Sequence, residues 1–262
     1  MNTNVEDYKT HFAEYLLCLA LDVGEGMLKN GGEVSRVENT VERICRAYGA
    51  VHVEVFSIIS VIHAAIRMPD GSYSSQMRRI HHTGTDLYKV ELFNDISRKI
   101  CNETPDLDAF DAYIKEAKHK NVYPKWITLP ASAIAASAFA VFFGGELIEW
   151  LAAALIGAII ALINLLAAER INELAKAVIA SFTAGILSSI TALMIPGTQS
   201  SVIMIGTIML LVPGVAFGTA LRDLLCGDLL AGGLKVIQSI LAALMIAFGY
   251  LVSMAVMGGG IL

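Results

Sequence analysis

Charge thins out abruptly in this chain near Trp126. Between residues 127 and 262 only ten side chains are charged: Glu146, Glu149, Glu169, Arg170, Glu173, Lys176, Arg222, Asp223, Asp228 and Lys235. All ten sit in or beside short breaks between long apolar runs. A charged side chain at the bilayer centre costs roughly 2.5–3.5 kcal/mol on insertion scales, so a stretch that confines charge to its breaks is built for hydrocarbon. Hydrophobic residues make up 55% of the whole chain, above the globular norm. The competing architecture is a large soluble protein with a helical core. Core helices of that kind usually keep a polar stripe, which these runs lack.

Five runs are visible, at 127–143, 147–168, 177–195, 202–221 and 234–257. Each is near the ~20 residues that span ~30 Å of hydrocarbon. The expected fold is therefore an α-helical integral membrane domain with five transmembrane helices (126–262), preceded by a small α+β cytoplasmic domain (1–125). Basic residues set the orientation. Lys115, Lys118, Lys120 and Lys125 precede the first run, Arg170 and Lys176 follow the second, and Arg222 and Lys235 lie between the fourth and fifth. The intervening loops and the tail 258–262 have none. This alternation predicts a cytoplasmic N-terminus and an extracytoplasmic C-terminus. Trp126 and Trp150 then fall at opposite interfaces, where indoles prefer to sit.

Within the runs, small residues recur at helical spacing, as in Ala153, Gly157 and Ala161, or Ala180, Ala184 and Ser188. Such stripes let backbones approach closely in lipid. Ser181, Thr183, Ser188, Ser189 and Thr191 give the third run its hydroxyls, which either line a path or bond back to their own helix. No Asp, Glu, Lys, Arg or His lies near the middle of any run, so a proton relay in this chain alone has no support. The fourth run reads GTIMLLVPGVAFGTALRDLLCGD from Gly206 to Asp228. Pro213 cannot donate to Met209, and Gly214 loosens the same turn. A helix broken inside the membrane frees backbone groups, a common way to build a polar solute site, although a tolerated kink would look the same. Arg222, Asp223 and Asp228 follow, either as a substrate mouth or as a solvated loop with a local Arg222–Asp223 pair.

The charged half reads as a small α+β domain, with helices flanking a run of strands. A helix is expected at 7–28 with an apolar stripe at Phe12, Leu16, Leu19, Val23 and Met27, and a second at 33–48, separated by Gly31-Gly32. Strands follow at 51–59, 61–68 and 72–80, with Pro69-Asp70-Gly71 as a hairpin turn. Helices at 85–101 and 108–118 complete the unit. The N-terminal residues MNTNVEDYKTHF lack a basic segment followed by an apolar one, so they do not read as a secretory signal, and this half is expected in the cytoplasm.

Enzyme chemistry finds no foothold. Gly24-Glu25-Gly26 lacks the rest of a phosphate loop, and neither a nucleophile elbow nor a zinc-protease helix is present. The adjacent His81 and His82 would face different directions, His52 and His63 lie in apolar strands, and no metal or cofactor is expected. Cys18, Cys45, Cys101 and Cys226 have no metal-ligand spacing and read as reduced thiols. A net charge of -5 gives no footprint for nucleic acid. The densest polar set is Glu33, Arg36, Glu38, Glu42, Arg43 and Arg46, in which Glu42 and Arg46 are spaced to pair. It is either a solvated face or a contact surface.

The segment MLKNGGEVSRVENTVERICRAYG (27–49) resembles the opening motif of the threonine/serine exporter (ThrE) family, which reads like LLxxGAExxRVExxxxRxxxAYG. The segment 206–249 is similar to that family's LVPG…D…GD…G element and its final span. Gly32, Glu33, Arg36, Val37 and Glu38 match the first motif. Pro213, Gly214, Asp223, Gly227 and Asp228 match the second. Position 32 is Gly where Ala is usual, and Gly218 stands where relatives often carry a polar residue. The resemblance implies an inner-membrane exporter of small organic solutes. In length the chain is similar to the YjjP-like large subunit of the split form, which implies a small multi-span YjjB-like partner and leaves room for a higher oligomer. The expected solute is a threonine/serine-type amino acid or a dicarboxylate such as succinate. The alternative is a membrane-anchored sensor or scaffold whose cytoplasmic domain binds a ligand or protein.

Overall fold

The structure, a computed structural model, describes residues 3–120, 123–167 and 171–258. Chain contacts divide it into two compact units. The first comprises Met1–Val122 together with Val215–Val236, and the second Tyr123–Gly214 together with Ile237–Leu262.

In the first unit, α1 (Thr3–Lys29) and α2 (Val34–Ala47) lead into the strands β1 (His52–Ile58), β2 (Val61–Arg67) and β3 (Tyr73–Arg79). These pair antiparallel in the order β1-β2-β3, with Phe56 opposite His63 and His63 opposite Met77. The period-2 alternation sends Ile62, Ala64 and Ile66 of β2 into the core, while His63 and Arg67 face outward. Helices α3 (Leu87–Glu103) and α4 (Leu107–His119) follow. Each is started by an aspartate N-cap: Asp86 accepts from the Lys89 N–H and Asp106 from the Ala109 N–H.

The first helix is more deeply buried than an amphipathic stripe requires. Leu17, Ala20 and Leu21 are as buried as Leu16, Leu19 and Val23. It packs against α2, α3, α4, β2 and β3, so it is the central rod of the unit. Gly24 and Gly26 make that possible. A Cβ on Gly24 would come within 2.8 Å of the Val41 methyl, and one on Gly26 would enter the Phe93 ring. The Gly24-Glu25-Gly26 run is thus a packing notch inside a helix.

In the second unit a single 3-10 turn (Lys125–Ile127) precedes α5 (Thr128–Phe142), α6 (Leu147–Ala167), α7 (Glu173–Met194) and α8 (Ser200–Ile208). Helix α9 (Gly214–Leu225) belongs to the first unit from Val215 onward, and α10 (Leu229–Val256) begins in the first unit and ends in the second. Ala136, Ala140, Ala153, Ile156, Ala180, Ala184 and Ile203 form the second unit's core. Small residues set its packing. A Cβ on Gly157 would meet the Ser132 carbonyl at 2.7 Å, and one on Gly206 the Ala136 carbonyl at 3.0 Å. Helices α7 and α10 interlock reciprocally, Gly185 receiving Ser253 and Gly249 receiving Ser181.

Among the described residues three helices, α6, α7 and α10, are long and apolar enough to cross a bilayer. The stretch 127–143 forms a shorter apolar helix of 15 residues. The stretch 202–221 is two helices, because the chain leaves the α-helix after Ile208 and resumes it at Gly214. Pro213 has no N–H to continue the ladder and restricts Val212 to extended geometry. Arg170 and Glu169 of the expected loop, and the tail 259–262, lie outside the described residues.

Candidate functional site

The first sequence motif and the Asp223–Asp228 part of the second, far apart along the chain, meet within the first unit, whereas Pro213 and Gly214 belong to the second unit. The first arrives at the end of α1. Gly31 sits at φ +90, its N–H bonding to Leu28 O at 3.2 Å, and the Gly32 N–H returns to Met27 O at 2.9 Å. This is a Schellman cap, which a glycine at positive φ adopts without a Cβ penalty. It reverses the chain so that Glu33, in extended geometry, becomes the N-cap of α2. A Cβ on Gly32 would lie 2.8 Å from Met27 O, so glycine at this departure from the family pattern fits the tight turn.

The second motif arrives by the same device. Gly227 sits at φ +97 with its N–H on Leu224 O at 3.1 Å, and the Asp228 N–H returns to Asp223 O at 2.9 Å. Asp228 O then accepts from the Gly232 N–H at 2.8 Å as α10 begins. Gly232 permits the close return: a Cβ there would meet Leu224 N at 2.8 Å and Ala220 O at 3.0 Å.

Four charged side chains tie these turns together. Arg222 Nη1 lies 2.8 Å from Glu33 Oε1. Glu33 also has Arg36 Nε at 3.8 Å from its second oxygen. Lys235 Nζ donates to Asp223 Oδ2 at 2.6 Å and to Gly32 O at 3.4 Å. The exposures differ sharply. The Asp223 and Lys235 side chains are 1% and 12% exposed, whereas Arg222 is 59% exposed. The first pair is a buried ion pair and the second a rim contact screened by solvent. Arg222 and Asp223 are therefore not partners of one another. Asp223 Oδ1 and Asp228 Oδ2 are buried and have no hydrogen-bond partner.

Glu38 joins the same region from α2. Its Oε1 accepts from the Ser57 N–H at 2.6 Å and from the Ser57 hydroxyl at 3.2 Å, which fastens α2 to β1. Burial pushes the Glu38 carboxyl above its ordinary value, the Ser57 hydrogen bonds oppose the rise, and the negative charge of Asp228 adds to it. The remaining helix charges behave as a solvated face: Arg46 Nε pairs with Glu42 at 2.7 Å on the surface.

Sequence reasoning brought out Glu33, Asp223 and Asp228 but used Lys235 only to count charge. The available signal was its position near the start of a long apolar helix, where a cation requires a carboxylate. Glu149 was missed in the same way. It is buried in the second unit, where Oε1 accepts from the Gln199 N–H and Oε2 from the Glu146 N–H, each at 3.0 Å. One carboxylate thus caps the starts of both α6 and α8. Of the hydroxyls of the third run, Ser181, Thr183, Ser188 and Thr191 bond back to Val178, Ile179, Ala184 and Leu187 of their own helix. The contact between helices is instead Thr207 Oγ1 to the Tyr250 hydroxyl at 3.0 Å. Among the described residues no three His, Cys, Asp or Glu side chains are grouped to hold a metal ion.

A small α+β unit, a set of helices of spanning length and apolarity, and a run broken at a proline define the class: a polytopic helical membrane protein. The chain belongs to the family described as "Putative threonine/serine exporter", which it matches over residues 18–257. It is also 25% identical over 186 residues to pheromone-regulated membrane protein 10 of Eremothecium gossypii. That alignment covers 67% of this chain and 24% of the relative, so the chain spans about a quarter of that protein's length. No solved structure matches the chain.

Proposed function

We propose that this chain is one subunit of a secondary exporter of small organic solutes. The observation that carries the reading is the break between α8 and α9, which interrupts an otherwise apolar run. The two family motifs converge at the far end of α9. Discontinuous helices supply polar backbone groups to a solute inside an apolar surround, and alternating access needs such a site. Pro213 and Gly214 form the break, and Arg222, Asp223 and Asp228 form the mouth. Gly32, Glu33, Arg36 and Glu38 form the surface on which the mouth rests.

In this reading residues 1–125 are cytoplasmic and 126–262 thread the bacterial inner membrane five times, the run 202–221 being the fourth crossing. The alternation of basic residues supports a cytoplasmic N-terminus and an extracytoplasmic C-terminus. The chain acts as a YjjP-like subunit completed by a small, multi-span YjjB-like partner. The solute is a threonine/serine-type amino acid or a dicarboxylate such as succinate, driven by a gradient rather than by ATP.

The test is efflux of labelled threonine, serine and succinate from cells carrying this chain with its partner. Pro213→Ala and Asp228→Asn should each slow export while expression holds. Wild-type rates in both variants would remove the break and the mouth from the pathway. Reporter tags at the two termini should report opposite sides of the membrane, and tags on one side would overturn the five-fold threading.

A further inference from the structure

Two carboxylate oxygens of the first unit, Asp223 Oδ1 and Asp228 Oδ2, are buried without a hydrogen-bond partner. Such orphans are rare in folded proteins, because each forfeits its hydration with nothing in return. Both belong to one helix cap. In a Schellman cap the first and last residues of the hydrogen-bonded turn bring their side chains together, usually as an apolar contact. Here those two positions are Asp223 and Asp228, joined by the 2.9 Å bond from the Asp228 N–H to Asp223 O. A place that favours two apolar side chains holds two acids.

We infer that Asp223 and Asp228 form a binding site for one compact monovalent cation, which satisfies Asp223 Oδ1 and Asp228 Oδ2. The charges around them favour it. Lys235 is committed to the other oxygen of Asp223 at 2.6 Å and to Gly32 O, and Arg222 is turned to Glu33 at 2.8 Å. From α2 the facing groups are Glu33 and Glu38, and from β1 the neutral Ser57. The field of Asp228 reaches Glu38 and helps hold its proton, so the surroundings are negative. The buried Asp223 and the buried Oδ2 of the half-buried Asp228 face one lysine, which leaves a negative charge that a bound cation cancels.

The ligand set decides the kind of cation. Ca2+ takes six to eight oxygens and Mg2+ demands a near-ideal octahedron, whereas the described residues group no three acidic, imidazole or thiol side chains. A primary ammonium needs only acceptors for three donors, as Lys235 already shows on the opposite oxygen. An alkali ion meets the same charge demand. Two sources therefore share this chemistry, the ammonium end of an exported solute and a free alkali ion. Only the choice of source rests on the export reading.

The full chain in detergent tests the site without any transport measurement. Its unfolding midpoint is followed against methylammonium chloride and against sodium chloride, each balanced by choline chloride at equal ionic strength. A ligand that binds only the folded protein raises the midpoint saturably. Saturation by methylammonium alone assigns the site to a solute's ammonium, and saturation by sodium alone assigns it to an alkali ion. Asp228→Asn keeps the backbone N–H that closes the cap, and should raise the half-saturating concentration about 10- to 100-fold through loss of one charge-assisted hydrogen bond. Midpoints in both salts that match choline, or an Asp228→Asn chain that saturates like wild type, overturn the site. Should that variant not fold, the Glu38 carboxyl of the wild-type chain is titrated by carbon-13 NMR. A bound cation must lower its midpoint, and no movement at saturating salt overturns the site equally. Export and binding are thus judged by separate measurements.

Discussion

Arg222 Nη1 stands 2.8 Å from Glu33 Oε1, which puts the last turn of α9 against the N-cap of α2. Beside it Lys235 reaches Gly32 O, 203 residues earlier in the chain. The turn that ends α1 and the turn that ends α9 are built alike, each closed by a glycine at positive φ. In this chain the Gly32–Glu33 turn and the Arg222–Asp228 turn are thus two halves of one polar junction. Each glycine sets a chain reversal, and one acid beside each turn, Glu33 or Asp223, receives a base from the segment α9 to α10.

The buried Asp223–Lys235 pair should matter far more than its rim neighbour. Lys235→Met leaves a carboxylate that is 1% exposed without its counter-charge, and is expected to destabilise the chain by about 3–5 kcal/mol. Pairing it with Asp223→Leu should recover much of that loss, because an apolar pair avoids the desolvation of both ions. Equilibrium unfolding of the three variants in detergent measures the coupling as a double-mutant cycle.

Arg222→Ala, by contrast, is expected to cost about 0–1 kcal/mol, since the arginine is 59% exposed. The loss should shrink further in high salt. The charge-swapped chain, Glu33→Arg with Arg222→Glu, should unfold close to wild type. A loss of several kcal/mol in Arg222→Ala would mean that the ion pair is not a rim contact.

Helices α7 and α10 should be intolerant of bulk at their notch. An added Cβ at Gly185 would run into the Ser253 hydroxyl and come within 2.8 Å of Ser253 Cβ. Gly185→Ala is expected to destabilise by about 1–3 kcal/mol through overpacking. Ser253→Gly in the same chain should restore most of it by vacating the space. Unfolding midpoints of the single and double variants decide the point.

Glu38 gives the first unit a signed pH dependence. Burial, opposed by Ser57 and reinforced by Asp228, raises its folded value above the ordinary 4.5. The folded state therefore holds the proton more tightly than the unfolded state. This contribution to stability is complete below 4.5 and is lost as pH rises through the folded value. Glu38→Gln keeps an oxygen for Ser57 and cannot ionise, so its stability should decline less over that window. A pH series of unfolding midpoints for both chains, compared from 4.5 upward, is the check.

Much of the first unit was legible in the residues. The expected strands at 51–59, 61–68 and 72–80 are found at His52–Ile58, Val61–Arg67 and Tyr73–Arg79. The helix break expected at Gly31-Gly32 lies where Gly31 takes positive φ. These signals are local: period-2 alternation, helical periodicity and glycine at turns. The central burial of α1 was not legible, since a helix covered on every side by its own domain looks apolar without saying by what. The small-residue stripes could be read as close-packing faces, but the pairing of Gly185 with Ser253 and of Gly249 with Ser181 could not.

By itself the sequence determined where charge is excluded, where the three strands of the first unit lie, and where Pro213 falls within the apolar run 202–221. These follow from side-chain hydration and backbone geometry acting over a few residues. Only the tertiary structure decided partners: that Asp223 takes Lys235 rather than Arg222, that Arg222 takes Glu33, and that two aspartate oxygens are buried without a donor. An ion pair depends on distance and burial in three dimensions, and neither is written in the spacing of residues along the chain.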